Sequence, residues 1–405
     1  MNLELELSAR LASDLNLKKL DFISSRLILL AMQKTMNRKG VEHALTKQGM
    51  TRKDLAQRVG VSATAVTNWL QGKDFPRPPT LLKLAATLRL NFEELVERNV
   101  EDDPVIAFRK KGSAKTTDEH MSKAKGVGML LKPLVPYLSD LQAIRSLITS
   151  PSTEYDKLQT LVFQARSRLG IGDQAVLEYE HLIGKFRESG AIVVPTLWGK
   201  KGNHENALHI RLPKEDVTFV FLNLDTHQED FKFWMAHELA HVYTPELAGT
   251  VDGEDFADAF AGALLFPREC AAEMYREAVG ARSEAGILRV VQSFAAKHGI
   301  SLNTVFQQTV QYVKESGLQR LQIEETTIHK VRNSNQGTLV SEALFDPMPP
   351  KPEIYLAACE NHFKSGFFHA LRRMIQERGS GPAYVQQILG LSLKDAHSLY
   401  EELSH

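Results

Sequence analysis

The chain has 405 residues, enough for two or three domains that each bury a core of their own. A hydrophobic fraction of 43% beside 24% charged residues excludes a disordered or collagen-like chain, and no apolar run approaches the ~18 residues that would span a bilayer. The formal net charge is zero, yet residues 24–100 hold 13 Lys/Arg against 6 Asp/Glu, so that stretch carries +7, the remainder carries −7, and only the first is suited to a polyanion.

Residues 1–23 form a short amphipathic pattern (Leu3, Leu5, Leu7, Leu11, Leu15 and Leu17) suited to packing on a neighbouring domain or subunit. Residues 24–100 then read as a compact run of short helices. Thr51-Arg52-Lys53-Asp54 has the spacing of a capping box, followed by Leu55, Ala56 and Val59 as an inward face. Gly60-Val61-Ser62 is a tight turn, and Ser62 caps a second helix carrying Val66, Trp69 and Leu70 inward until Gly72 ends it. A further helix starts at Pro79-Thr80 and buries Leu81, Leu84, Ala85 and Leu88. Over about 24–98 this pattern resembles the phage-repressor (XRE) type of helix-turn-helix. The resemblance implies that Ser62–Gln71 is the recognition helix, turning Ala63, Thr64, Thr67 and Asn68 toward base edges or phosphates. It also places Thr51, Arg52, Lys53 and Lys73 beside the backbone of double-stranded DNA. One such module reads few base pairs, so useful specificity implies a homodimer. The other reading of the module is a helical docking domain without DNA contact; the local positive charge favours DNA.

Residues 101–126 are polar, with Lys110-Lys111-Gly112-Ser113, and read as a linker. Helices resume near Lys132 and run to about Ser189. Ala191–Pro195, Ala207–Leu212 and Val217–Leu224 alternate or run apolar as strands do. Helices follow at about 229–244, 253–266, 268–279, 284–298 and 301–316. Residues 318–350 are less regular and end in Pro347-Met348-Pro349-Pro350; the tail from Glu353 to Leu403 is helical with a break at Gly379-Ser380-Gly381-Pro382. Within it, Val385–Ser392 echoes Leu55–Ser62, so a second hairpin of helix-turn-helix type is expected. The acids around it favour packing or partner docking over DNA. The expected class is therefore mostly α with a small β-sheet (α+β).

The densest chemistry lies at Ala236-His237-Glu238-Leu239-Ala240-His241, an HExxH sequence. Histidines four apart share a helical face and can reach one zinc ion, with Glu238 beside them to take a proton from water. A catalytic zinc needs a third protein ligand. Glu246, Asp252, Glu254, Asp255 and Asp258 are within range downstream. Glu254 is favoured by its surroundings: it shares a helical face with Asp258, Phe256, Phe260, Ala263 and Leu264 pack beneath, and Ala257 and Ala261 permit a close helix. Asp258 can orient a ligating histidine through its other ring nitrogen.

The strand, the HExxH and then Glu254-x-x-Ala257-Asp258-x-Phe260-Ala261-x-x-Leu264-Leu265-x-Pro267 resemble the ImmA/IrrE family of zincin-type metallopeptidases over about 150–316, a family in which fusion to an XRE module is typical. Position 258 is usually Asn there; Asp keeps an acceptor and adds a negative charge. The resemblance implies a zincin-like metallopeptidase domain at 127–317 and a Zn2+ cofactor, with Mn2+ as the other candidate, held by His237, His241 and Glu254; the pattern beyond it reads as a C-terminal region at 318–405 ending in a helical hairpin. It implies an endopeptidase in which Glu238 is the base, and a protein substrate, a transcriptional repressor whose cleavage releases stress, phage or mobile-element genes. Tyr243, His204, His209 and His227 are candidates for stabilising the oxyanion. Val217–Asn223 is either the edge strand against which a peptide lies or a central strand of the same sheet.

Cys270 and Cys359 are too few for a disulfide framework, no signal pattern opens the chain and no membrane partner is expected, so a cytoplasmic setting is expected. A second function is compatible with the same features: a DNA-binding transcriptional regulator whose zincin-like domain senses a ligand or metal without proteolysis.

Overall fold

A computed structural model describes residues 35–97, 103–107, 118–138, 147–199, 206–334 and 336–405. The amphipathic segment 1–23 and His204 lie outside them. The chain divides into two compact units, Met1–Asp103 and Pro104–His405.

The first unit is all-helical apart from one short pairing. Its helices are α1 (Arg38–Lys47), α2 (Arg52–Val59), α3 (Ala63–Leu70), α4 (Pro78–Leu88) and α5 (Phe92–Leu95). Short helices depend on their ends, because the first and last turns leave backbone groups unpaired. Here Asn37 caps α1, Thr51 and Asp54 form the expected box on α2, Ser62 caps α3, and Asn91 with Glu94 forms a second box on α5. Gly60 closes α2 at φ 81°, a left-handed conformation that costs a glycine little. Leu55, Val59, Val66, Trp69, Leu81, Leu84 and Leu88 fill one core, while Ala85 stays half-buried at its margin. Strand β1 (Thr35–Met36) pairs antiparallel with β2 (Val96–Glu97), tying the beginning of the module to its end.

The second unit is built on one mixed sheet of β3 (Val105–Ala107), β4 (Ala191–Thr196), β5 (Ala207–Leu212) and β6 (Val217–Asn223), in the order β3-β5-β6-β4. Strand β6 is parallel to β4 and antiparallel to β5, which is antiparallel to β3. Val217–Asn223 is thus a central strand, the second of the two expected placements. Its nearly unbroken apolar run is what a strand covered on both faces requires.

The expected linker is corrected in two places. Residues 105–107 form the edge strand β3, and a helix, α6, already begins at Asp118 and runs to Leu131 before a 3-10 turn over Lys132–Tyr137. Three apolar residues are too short a run to show a period in the sequence, but they suffice for an edge. Helices α7 (Tyr155–Arg168) and α8 (Tyr179–Glu188) precede the sheet's main strands; α9 (Gln228–Tyr243), α10 (Val251–Leu265), α11 (Arg268–Val279), α12 (Glu284–His298) and α13 (Leu302–Glu315) follow them. Helix α9 is buried around most of its circumference, as a central helix must be.

The tail is also corrected. Rather than forming a separate region, α14 (Glu325–Ser334), α15 (Val340–Leu344), α16 (Pro352–Asn361), α17 (Phe367–Arg378), α18 (Pro382–Leu389) and α19 (Leu393–Ser404) join the same apolar core as the sheet. Phe367 of α17 meets Phe219 and Phe221 of β6 edge to face at 6.2 and 6.4 Å. The outer edge of β4 is covered as well: Ser365 donates to the Val193 carbonyl at 2.6 Å and Tyr355 to that of Pro195 at 2.5 Å. The α18–α19 hairpin repeats the α2–α3 turn, with Gly390 at φ 66° and Ser392 as cap, but its inner residues Val385, Ile388, Leu389 and Leu399 belong to this core. Trp198 donates its indole N–H to the Leu389 carbonyl at 2.6 Å. Packing, one of the two roles expected for this hairpin, is the role it fills.

Candidate metal centre

Helices α9 and α10 carry the site. His237 and His241 lie one turn apart on α9, and Glu254 faces them from the first turn of α10. The approach of the two helices depends on small residues: Ala257 and Ala261 are fully buried between them. Gly253, next to Glu254, leaves no room for a side chain, since a Cβ there would strike the Leu247 carbonyl oxygen. Thr250 caps α10 by accepting from the Gly253 N–H at 3.0 Å, which fixes where Glu254 starts.

Three side chains converge. His237 Nε2 and His241 Nε2 are 3.2 Å apart, His241 Nε2 is 3.4 Å from Glu254 Oε1, and His237 Nε2 is 3.5 Å from Glu254 Oε2. Ligands bonded tetrahedrally to zinc at ~2.0–2.1 Å stand about 3.3 Å from one another. The three distances, the last two to different oxygens of Glu254, match that spacing. His237 Nε2, His241 Nε2 and both Glu254 oxygens are buried and turn toward one another at these distances. The donor set therefore fits a divalent cation, and two imidazoles with one carboxylate suit zinc.

The surroundings are strongly anionic. Asp258 accepts from the His237 Nδ1–H at 2.9 Å, which leaves Nε2 free to bind. Burial works against a charged imidazole at His237, but hydrogen bonds to Asp258 and Glu254, with Glu238 nearby, outweigh it and raise the group to about 9. Burial likewise opposes the Glu254 carboxylate, yet the bonds from His237 and His241 hold it down to about 2.

Glu238 is 4% exposed, and its Oε2 is buried without a hydrogen-bond partner. The nearest group is His209 Nδ1 at 3.4 Å, from β5. His209 is fully buried, its ring packs edge-on to that of His241 at 5.4 Å, and burial pushes its pKa down while Glu238 pulls the other way. Of the four residues considered for the oxyanion, His209 alone among the described residues stands beside the metal-binding cluster. Its signal in the sequence was a polar residue in the apolar run Leu208–Ile210. Tyr243 instead packs on Phe260 at 6.0 Å, and His227 Nδ1 lies 2.5 Å from the Gly337 carbonyl at the start of α9. Among the other ligand candidates, Glu246 pairs with Arg211 at 3.3 Å, and Asp252 and Asp255 are exposed.

In the first unit, Ala63 and Thr64 are exposed on α3, while Thr67 and Asn68 are half-buried, with Thr67 Oγ1 donating to the Ala63 carbonyl at 3.0 Å. Thr51, Lys53 and Lys73 are exposed, and Arg52 is held by Glu42 at 2.6 Å. Residues 41–95 match the family model described as Helix-turn-helix. The chain carries a DNA-binding module of the XRE type. It is thus a DNA-binding regulator, and its nucleic-acid partner is double-stranded DNA. No curated protein matches the chain. Among the described residues no helix is long and apolar enough to cross a membrane.

Proposed function

We propose that the second unit is a zinc-dependent endopeptidase of the ImmA/IrrE zincin type, joined to a DNA-binding module so that it acts on a transcriptional repressor. The observation that carries this reading is the convergence of His237, His241 and Glu254, with Glu238 adjacent to them but outside the set. A closed structural site would use a fourth protein ligand; three ligands leave a position for the reacting groups. When bound, zinc polarises a peptide carbonyl and makes water acidic enough to attack near neutral pH.

The chain's own residues supply the rest. Asp258 fixes the His237 ring so that Nε2 points to the centre. Glu238 takes the proton of the attacking water on its unpartnered Oε2 and passes it to the leaving amine. His209 of β5 stands beside that carboxylate, its Nδ1 3.4 Å from Oε2. The DNA module brings the peptidase close to a repressor bound nearby and so raises the effective concentration of substrate without adding any new interface. Cleavage then derepresses stress, phage or mobile-element genes.

The second reading is a regulator whose metal-bearing unit senses a ligand or ion without cutting. The variant Glu238→Gln separates the two, because it keeps shape and ligands but removes the base. We expect peptide cleavage to drop at least ~100-fold with metal content unchanged, and derepression in cells to be lost with it. Derepression that persists in this variant supports the sensor.

A further inference from the structure

We propose that β3 is the chain's own occupant of the place where the peptide to be cut would lie, so that the unit as folded here is self-covered. This inference rests on the peptidase reading above.

An extended peptide recognised by a sheet adds to an exposed edge through main-chain pairing. The β4 edge is unsuited to this, since Ser365 and Tyr355 already bond its carbonyls. The other edge of the three main strands is β5, and β5 is the strand that carries His209 to Glu238. Along that edge β3 runs antiparallel, with Val105 opposite Arg211, Ile106 opposite Ile210 and Ala107 opposite His209. Directly opposed residues of an antiparallel pair project to the same face. Ala107 therefore lies on the face of His209, the face that holds the base and the metal ligands.

The grip on β3 is on its main chain. Gly249, at φ 78° in the connection between α9 and α10, brings its backbone against β3 so closely that a Cβ would stand 2.6 Å from the Ile106 carbonyl oxygen. Just before β3, Gly128 of α6 packs against the Pro104 side chain, where a Cβ would meet the ring at 2.6 Å. Ile106, 3% exposed, is the apolar anchor. A slot that takes the strand's backbone against Gly249 and buries Ile106 and Ala107 fits an extended segment with an aliphatic residue followed by a small one.

With β3 in place, His237, Glu238, His241 and Glu254 are each at most 8% exposed. A protein substrate cannot reach Glu238 unless a covering element moves. β3 is the shortest strand of the sheet, is held over three residues, and begins two residues after the DNA-binding unit ends.

The test is a reversible lock in the full zinc-loaded chain, Ile106→Cys with Ile210→Cys. These positions are directly opposed, and antiparallel partners stand ~4.5–5.5 Å apart between Cα atoms, within disulfide range. The native Cys270 and Cys359 are buried. We expect the oxidised form to lose zinc to EDTA at least ten-fold more slowly than the reduced form. We also expect the β5 amides to exchange hydrogen at least ten-fold more slowly. Ile106→Ser, without any cross-link, should move both rates in the reduced direction relative to the native chain. Equal rates in the two redox forms, or casein cut equally by both, would overturn the self-covering while leaving the peptidase reading intact. Failure of every form to bind zinc would remove both.

Discussion

In the DNA-binding module the chemistry sits on the outside. Ala63, Thr64, Lys53 and Lys73 are exposed, and among its described residues no polar or charged side chain is buried. In the second unit the order is reversed: His237, Glu238, His241, Glu254 and His209 are all buried. A surface that reads DNA adds little cost to the fold, because its side chains stay hydrated until the partner arrives. The candidate metal centre gathers two buried carboxylates and three imidazoles in a place where unpaired charge is expensive, and the fold must be held together around it. The module can therefore be short and capped, whereas the second unit wraps a sheet on both faces and at both edges.

The largest expected effect follows from that contrast. Glu254→Ala should lower zinc affinity more than ~100-fold, beyond the ~10–100-fold that losing a supporting residue costs, which is the loss we expect for Asp258→Ala. Elemental analysis of the purified variants reads the loss directly. In a thermal scan the transition of the second unit should cease to depend on added zinc, while DNA binding by the module is unchanged. A Glu254→Ala protein that keeps its ion in full would separate the HExxH helix from the role given to it here.

Next comes a test of how far the second unit extends. Phe367 is fully buried and packs against Phe219, Phe221 and Phe368. Phe367→Ala should destabilise the second unit by ~3–5 kcal/mol, the cost of emptying an aromatic site in a core. Urea unfolding followed through Trp198 and Trp234 measures it. An unchanged midpoint would mean that the tail is independent of the sheet after all.

The two units also differ in how much of them could be read in advance. In the module every cap and core position falls within a few residues of its partner, so Thr51, Ser62, Gly60 and Trp69 were legible from spacing alone. The HExxH pair and the Glu254–Asp258 pair were legible for the same reason, since each lies on one helical turn. What the sequence leaves unseen, or, as with His209 among the four oxyanion candidates, unranked, depends on long-range pairing. His209 reaches Glu238 only because β5 is in one particular register with β6, and no local period encodes that. Strand β3 was hidden because three residues show no alternation, and polar neighbours gave the stretch the look of a linker. The tail seemed separate because an amphipathic helix does not announce which surface it will cover; here Phe367 and Tyr355 chose the sheet.

A smaller effect probes the cost of burying titratable groups away from the metal centre. His298 is 2% exposed, lies edge-on to Phe266 at 5.2 Å, and neither ring nitrogen has a hydrogen-bond partner. Burial, with the cations of Lys297, Arg166 and Lys232, holds it down to about 4. An unfolded histidine titrates near ~6.5. Between those values the unfolded chain binds a proton that the folded chain refuses. Stability from this residue is thus intact above pH ~6.5 and declines as the pH falls toward 4, by at most ~1.4 kcal/mol per unit and ~3 kcal/mol in all. His298→Phe fills the same aromatic slot without titrating, so its advantage over the native chain should appear below pH ~6 and grow as the pH falls. A constant difference across pH 4–8, read from urea midpoints, would show that His298 binds its proton equally in the folded and unfolded chain.

The smallest expected effect belongs to the module. Thr51 accepts from the Asp54 N–H at 3.2 Å, and Asp54 accepts from the Thr51 N–H at 2.9 Å. Thr51→Ala should cost ~1 kcal/mol of module stability, and the second unit should not register it. DNA affinity should fall only as far as the folded fraction falls, because the cap acts on the helix and not on the base edges. Lys53→Ala and Lys73→Ala should behave in the opposite way. Both side chains are exposed and outside the core, so stability should hold while the slope of log affinity against log salt falls by about 0.9 for each phosphate left without its cation. A mobility shift over a salt series distinguishes the two patterns. A slope unchanged by both lysine variants would assign the phosphates to other cations of the module.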